Sequence, residues 1–415
     1  MAEAAFVPAP GWVLPFVALL LCIAVAPLAA PRFWASNLRK LVVSVALGAP
    51  VVALYVARDP GAMVDAGWDY VSFIVLLGSL FVISGGVLLD GDLEATPAVN
   101  TAYLAAGALL ASLVGTTGAS MLLIRALLHT NAERRHVAHT VVFFIFLVSN
   151  VGGCLTPLGD PPLFLGYLAG VPFFWTLRLF WPWLFATSAL LAVYFVWDTR
   201  VHRHESPWSL KADRERRRPL RLIGASNLVL LGGIMVVAAA LDRPWRELAM
   251  LALAAASLQW TPRHVRHANH FSFHPILEVT AVFVGIFATM VPALDLLRAH
   301  GAELGVREPW HFFWATGALS SLLDNAPTYL TFLALGQGQH LAPEVAGVPH
   351  AMLTAISLGA VFMGAITYIG NGPNFMVRSI AESRGVAMPG FFGYLAYSAA
   401  VLLPLFVAVT LIFLV

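Results

Sequence analysis

Apolar residues run in long stretches along this chain, near 13–28, 40–56, 70–89, 180–197, 224–241, 274–297 and 392–415. Helices of that length cross the hydrocarbon core of a bilayer. Two pairs of shorter apolar runs lie between them, 101–114 with 118–128 and 310–323 with 327–338. An arm of about thirteen residues reaches only about 20 Å, short of a core about 30 Å thick. Each pair is therefore expected to enter and leave on one side as a re-entrant hairpin, 101–128 and 310–338, with tips at 115–118 and 324–328. Two further runs, 138–170 and 350–385, are of crossing length but are interrupted by Gly, Pro, Asn and Asp at 152–162 and 366–374.

The two halves repeat this order of parts. Gly78 matches Gly285 at an offset of 207, Ser112-Leu-Val matches Ser321-Leu-Leu at 209, and Gly159-Asp-Pro-Pro matches Gly370-Asn-Gly-Pro at 211. A nearly constant offset in three separate segments marks an internal repeat, 1–197 and 222–415, joined by a polar linker at 198–221. With one hairpin and one broken helix, each half makes five crossings. Five is odd, so the second repeat starts from the opposite side and the two are inverted. The expected fold is thus an all-α polytopic membrane protein of two inverted repeats.

Composition agrees. Of 415 residues, 59% are hydrophobic and 11% charged, against about 25% charged in soluble chains. The net charge of +2 gives no nucleic-acid signal. Cys22 and Cys154 suggest neither a disulfide framework nor a zinc cluster. The N-terminal run ends like a signal peptide, but Glu3 and no Lys or Arg precede it, so it is read as an uncleaved span. Threading puts Arg32, Arg39, Lys40, Arg134, Arg135, Arg263, Arg266 and the linker on one face. The other face has Arg58, Arg178, Arg243, Arg246, Arg298 and Arg307, mostly diluted by acids. The positive-inside rule then makes the linker cytoplasmic and both termini external in a multi-pass plasma (inner) membrane protein. Trp34, Trp68, Trp181, Trp183, Trp245 and Trp260 fall near span ends, as interfacial anchors do. No Walker A, His-Glu-x-x-His or Gly-x-Ser-x-Gly pattern supports ATP hydrolysis or proteolysis, and no enzyme is expected.

Unwound backbone at membrane depth is tolerated only where it lines a cavity or holds a solute, so the paired breaks point to a transport site. Asp324 and Asp160 are the sharpest candidates, because acids at that depth are costly and usually functional. Asp324, next to Asn325 and Thr328 with Pro327 between, either binds an ion or caps the second arm, or does both. Asp160 lies in Pro157-Leu-Gly-Asp-Pro-Pro, where three prolines in six residues force a kink. It is either deep or an ordinary turn residue near the surface, and its repeat partner is Asn371. Asn150, Thr156, Thr367 and Asn374 put amides and hydroxyls beside the breaks, for binding or for helix–helix hydrogen bonds. Thr116 and Thr117 offer hydroxyls at the first tip, where arm N-termini favour an anion. Asp324, Asn325 and Asn150 are the oxygen donors expected to hold sodium. Asp324, Asp160 and Glu278 are the possible proton carriers, although Glu278 is only a rim charge if it lies within a turn of the surface. Arg125 and Arg378 are the interior bases. His264, His267, His270 and His274 have no Cys or acidic ligand with them, which favours a solvated loop over a metal site or pH sensor.

Asn150-Val-Gly-Gly…Thr156-Pro-Leu-Gly-Asp160 resembles the broken-span signature of the D-type bacterial sodium/proton antiporters. Asp324-Asn-Ala-Pro-Thr328 resembles the second hairpin tip of that group and of its citrate-transporter-like and arsenite-pump relatives, all in the ion transporter superfamily. The resemblance implies a homodimer with scaffold and transport domains, an elevator motion, and sodium and protons as coupling ions without other cofactors. The antiporter relatives usually carry Asp-Asn in the first hairpin, and dicarboxylate carriers Ser-Asn-Thr at both tips; this chain has Gly115-Thr-Thr-Gly118. Two expectations stay open. One is a sodium/proton antiporter in which Asp324, Asn325 and Asp160 hold ion and proton by turns. The other is a sodium- or proton-coupled citrate or carboxylate symporter in which Thr116, Thr117, Asn325 and Thr328 hold the anion with help from Arg125 or Arg378. The paired interruptions disfavour a non-transporting scaffold.

Overall fold

The computed structural model describes residues 6–339, 341–342 and 344–415; Glu3 lies outside them. The chain is an all-α polytopic membrane protein. Among the described residues, eight helical runs are long and apolar enough to cross a bilayer. The first half holds α1 (Leu14–Ala29), α2 (Pro31–Trp34), α3 (Asn37–Arg58), α4 (Pro60–Ser84), β1 (Leu88–Asp92), α5 (Pro97–Val114), α6 (Thr116–Thr130), α7 (Ala138–Leu147), α8 (Pro161–Leu168) and α9 (Phe180–His202). The linker forms α10 (Pro207–Glu215) and β2 (Arg218–Ile223). The second half holds α11 (Ser226–Ala240), α12 (Trp245–Trp260), α13 (Arg263–Ala268), α14 (His274–His300), α15 (Pro309–Leu322), α16 (Asn325–Gln337), α17 (His350–Met363), α18 (Gly372–Ser383) and α19 (Phe391–Phe413).

Helices α5 and α6 fold back on each other. Asn100 and Asn131 exchange amide hydrogen bonds of 2.9 and 2.8 Å at the base of the pair. Gly115 is the single residue between the arms, at φ 82°, a left-handed conformation that glycine adopts without strain. The turn is tighter than expected, since Thr116, Thr117 and Gly118 already form the first turn of α6. The first arm is also longer than expected. Thr96 caps it by accepting from the Val99 N–H, and Pro97 starts the helix four residues ahead of the apolar run.

α15 and α16 form the second hairpin, with Phe312 and Phe332 edge to face between the arms. The base of the second hairpin lies at the end of the 27-residue α14, whereas the tip of the first faces its start, where Pro275 and Ile276 lie against Gly115–Gly118. Just ahead of that start, Asn269 donates to the Gly85 and Val87 carbonyls that lead into β1. At the end of α14, Arg298 donates to Gln337 at 2.9 Å and Gly301 accepts from Gln339. The breaks fall at 148–160, around a 3₁₀ turn Val151–Leu155, and at 364–371, around Gly364–Ile366.

Two features of the linker depart from expectation. Asp198 belongs to α9, which runs on to His202, because it is buried there, ion-paired with Arg134 at 2.6 Å and hydrogen-bonded to His139 at 2.8 Å. The linker also pairs β2 with β1 in an antiparallel ribbon, Leu88 opposite Ile223 and Asp92 opposite Arg218. Asp213 accepts from the Ala95 N–H at 3.0 Å, and Arg214 and Arg217 pair with Glu94. The linker is thus pinned to the base of the first hairpin. Trp34 and Trp183, expected as interfacial anchors, are buried.

Candidate functional site

Both hairpin tips and both breaks converge on one carboxylate. Asp160 is 1% exposed and sits at the N-terminal cap of α8. Aspartate there normally accepts from its own helix, but Pro161 and Pro162 remove two N–H groups of the first turn. Its carboxylate makes no cap bond and turns to the site instead. Oδ1 accepts from the Thr116 hydroxyl at 2.9 Å and from the Asn371 amide at 3.0 Å. Oδ2 accepts from the Asn325 amide at 2.6 Å. Asn371 uses the same local chemistry. It caps α18, which has Pro in its first turn, and leaves its side chain free to cross to Asp160 and to the Ser149 carbonyl.

A second layer of amides locks the breaks together. Asn150 donates to Asn374 Oδ1 at 2.7 Å and to the Ile145 carbonyl, and its Oδ1 accepts from Asn371 at 3.3 Å. Asn374 donates to the Gly364 and Thr367 carbonyls at 2.8 and 2.9 Å. Thr156 and Thr367 face away from Asp160. Thr156 donates to the Ser112 carbonyl and Thr367 to the Ser321 carbonyl at 2.6 Å, so each break is pinned to the arm of its own hairpin by the same bond in both halves. The following amides repeat as well, Leu158 N–H to Thr156 and Ile369 N–H to Thr367.

The other expected residues fall around this centre. Asp324 is half-buried, accepts from the Ala326 N–H at 3.0 Å and caps α16. It shares no hydrogen bond with Asp160 among the described residues; its neighbour Asn325 makes that contact. Thr328 is buried and donates to the Asp324 carbonyl. Thr117 lines a cavity of about 80 Å³ bounded by Gly115–Gly118, Gly159, Pro161, Leu80 and the start of α14 at Pro275 and Ile276. Glu278 lies one turn into α14, ion-paired with Lys40 at 2.6 Å, and its side chain is 44% exposed. It takes no part in the hydrogen bonds around Asp160 among the described residues. Arg378 pairs with Glu382 at 2.9 Å and lies over the Tyr368 ring. His264, His267, His270 and His274 are exposed, and no metal-holding group of three His, Cys, Asp or Glu occurs among the described residues.

Sequence reasoning missed Ser120 and gave Ser112 no role, while Ser149 stands beside Asn150 at the break. Ser112 accepts from Leu155 N–H, and Ser120 and Ser149 share a bond of 2.9 Å, fastening α6 to the first break. Ser112 stood in the repeat alignment, but alignment gave it no role.

The donor set is uniformly hard oxygen, with Asp160, Thr116 Oγ1, Asn150 Oδ1 and Asn325 Oδ1. The last is buried and has no partner among the described residues. One contacting carboxylate among neutral groups suits a monovalent cation or a proton. No curated protein sequence matches this chain. The profile of a family described as "Putative citrate transport" matches residues 7–414. The chain belongs to that citrate-transport family, as a secondary membrane transporter rather than an enzyme.

Proposed function

We propose that the chain exchanges a monovalent cation, sodium foremost, for protons at Asp160. The observation that carries this reading is the setting of that carboxylate: buried, and held only by Thr116, Asn325 and Asn371, all neutral. An ionised carboxylate in such a place calls for a compensating positive charge. Three hydrogen bonds from neutral groups, at about 1.5–3 kcal/mol each, offset only part of the idealised cost of about 20 kcal/mol for taking the charge out of water. A cation and a proton satisfy the same need and exclude each other, which makes exchange obligatory. The cavity at the first tip supports the reading too. At about 80 Å³ it takes an ion with a few waters, whereas pockets for larger organic ligands run to about 300–1,000 Å³.

In this reading 1–197 and 222–415 are inverted repeats flanking a cytoplasmic linker at 198–221, with both termini outside. The hairpins and broken helices move together past a scaffold that forms the homodimer. The family description favours a second reading, in which a citrate-like carboxylate is taken up with the cation bound at Asp160.

Purified protein in liposomes with an internal pH dye tests the choice. A sodium gradient alone should move protons. Citrate accumulation that depends on sodium, with no proton flux in its absence, would replace exchange with symport.

A further inference from the structure

The outgoing arm of the first hairpin is closed on nearly every side. Of the residues in α6, only Thr117, Arg125 and His129 escape full burial. Their spacing of eight and four residues places them on one stripe of the helix. The stripe starts at the cavity beside Gly115, where Thr117 is part of the wall. It ends at the linker face, where His129 meets Arg218 of β2 at 3.2 Å and Asp92 of β1 at 3.7 Å. Arg125 lies between, about 12 Å from Thr117 along the helix axis at 1.5 Å per residue.

Arg125 is chemically out of place. Its Nη1 is buried with no partner among the described residues. Other arginines near the protein interior each have a partner, although Arg134 Nε and Arg266 Nε are also unfilled among the described residues. Arg134 has Asp198, Arg246 has Glu247, Arg266 has the carbonyls of Val82 and Ser257, and Arg378 has Glu382. No acid pairs with Arg125 among the described residues; α18 packs against α6, and Arg384 follows the last turn of α18. A buried guanidinium nitrogen without an acceptor is costly, and an anion would fill it. A guanidinium presents a fork of N–H groups that fits carboxylate and phosphate oxygens.

We propose that Arg125, with Arg384, binds the carboxylate or phosphate group of an anion on the route between the linker face and the Asp160 cluster. The anion is either a free polycarboxylate of the citrate type or the headgroup of an anionic lipid. The free-anion case supplies the carboxylate reading above with a residue; the lipid case stands without it.

The test uses the full chain in liposomes, with Arg125→Gln, Arg125→Lys and Arg384→Gln. Labelled citrate binding is measured without sodium, and retention of phosphatidylglycerol is measured by native mass spectrometry. The expected result is that Arg125→Gln weakens one of the two by about tenfold or more, with partial recovery in Arg125→Lys. Loss of citrate binding identifies the free anion, and loss of phosphatidylglycerol identifies the headgroup. Arg384→Gln, at an exposed position, gives the same answer if Arg125→Gln does not purify as a single species. Wild-type affinity for both ligands in Arg125→Gln and Arg384→Gln, or binding of neither by the wild type, overturns the proposal. Failure of the Asp160 reading shows instead in the pH-dye assay, so the two are separable.

Discussion

Asn325 donates its amide to Asp160 Oδ2 at 2.6 Å, a bond that ties the tip of the second hairpin to the break in the first half. Thr116 completes the arrangement from the first tip by donating to the other oxygen. Asp160→Asn keeps an acceptor oxygen but removes the charge. Its new amide faces a neighbouring donor, at about 1–3 kcal/mol, which a stable fold tolerates. We expect the sodium-driven dye response to fall to the level of empty liposomes while the protein still purifies as a single species. Proton flux close to wild type would take Asp160 out of the mechanism.

Asp324 combines two jobs that substitution can divide. Its carboxylate caps α16 through the Ala326 N–H, and it adjoins Asn325, which holds Asp160. Asn is as good a cap as Asp, whereas Ala lowers stability by about 1 kcal/mol. A charge worth about 1.4 kcal/mol at the site changes a rate about tenfold. Asp324→Asn should therefore slow exchange about tenfold at unchanged Tm, and Asp324→Ala should lower both. Wild-type exchange in Asp324→Asn would leave Asp324 as a cap alone.

The hairpins and breaks were legible because Gly, Pro, Asn and Asp stand out against an apolar background. The depth of Asp160 was not. Three prolines show that the chain kinks, but only packing of both tips around the kink makes Asp160 buried. Asp324 looked the sharper of the two acids in sequence, yet its neighbouring Asn325 makes the direct contact. The ribbon between β1 and β2 was also hidden. Leu88 and Leu89 close the apolar run at 70–89, and the strand's partner is more than a hundred residues away. Glu278 was ambiguous because its partner, Lys40, lies in the other half.

Close backbone approach in the breaks gives a third expectation. A Cβ on Gly153 would lie 2.6 Å from the Thr116 methyl and 2.8 Å from the Gly159 carbonyl oxygen. The obstacle includes backbone that is itself held, since Gly159 accepts from the Thr116 N–H at 2.8 Å. Gly153→Ala should displace Thr116 from Asp160, lowering both Tm and transport. Gly232, on α11, has nothing within 4 Å of such an atom. Gly232→Ala should leave transport intact and stabilise the helix by about 0.5–1 kcal/mol. Equal behaviour of the two variants in a thermal unfolding assay would contradict the packing described for the break.

The clasp between the linker and the base of the first hairpin should respond to pH. Asp92 is buried at the foot of β1, with Oδ1 unpartnered among the described residues. Burial pushes its carboxyl above the usual range. Glu133 adds to the shift, while His129, Arg218 and Arg216 oppose it. Asp213 of α10 is raised by burial too, against the pull of the Ala95 N–H. An acid raised in the folded state holds its proton where the unfolded chain, with a carboxyl near 4, has released it. Between those two values the folded state binds more protons, so stability is lost as pH rises through the window. Hydrogen exchange of amides 205–223 and of Ala95 should therefore be slowest at the acidic end and quicken as pH rises above about 4, once corrected for intrinsic rates. Asp92→Asn removes its share of that dependence and should protect the same amides at neutral pH. An identical pH profile in Asp92→Asn would show that the clasp is held by its arginine pairs and the β1–β2 ladder alone.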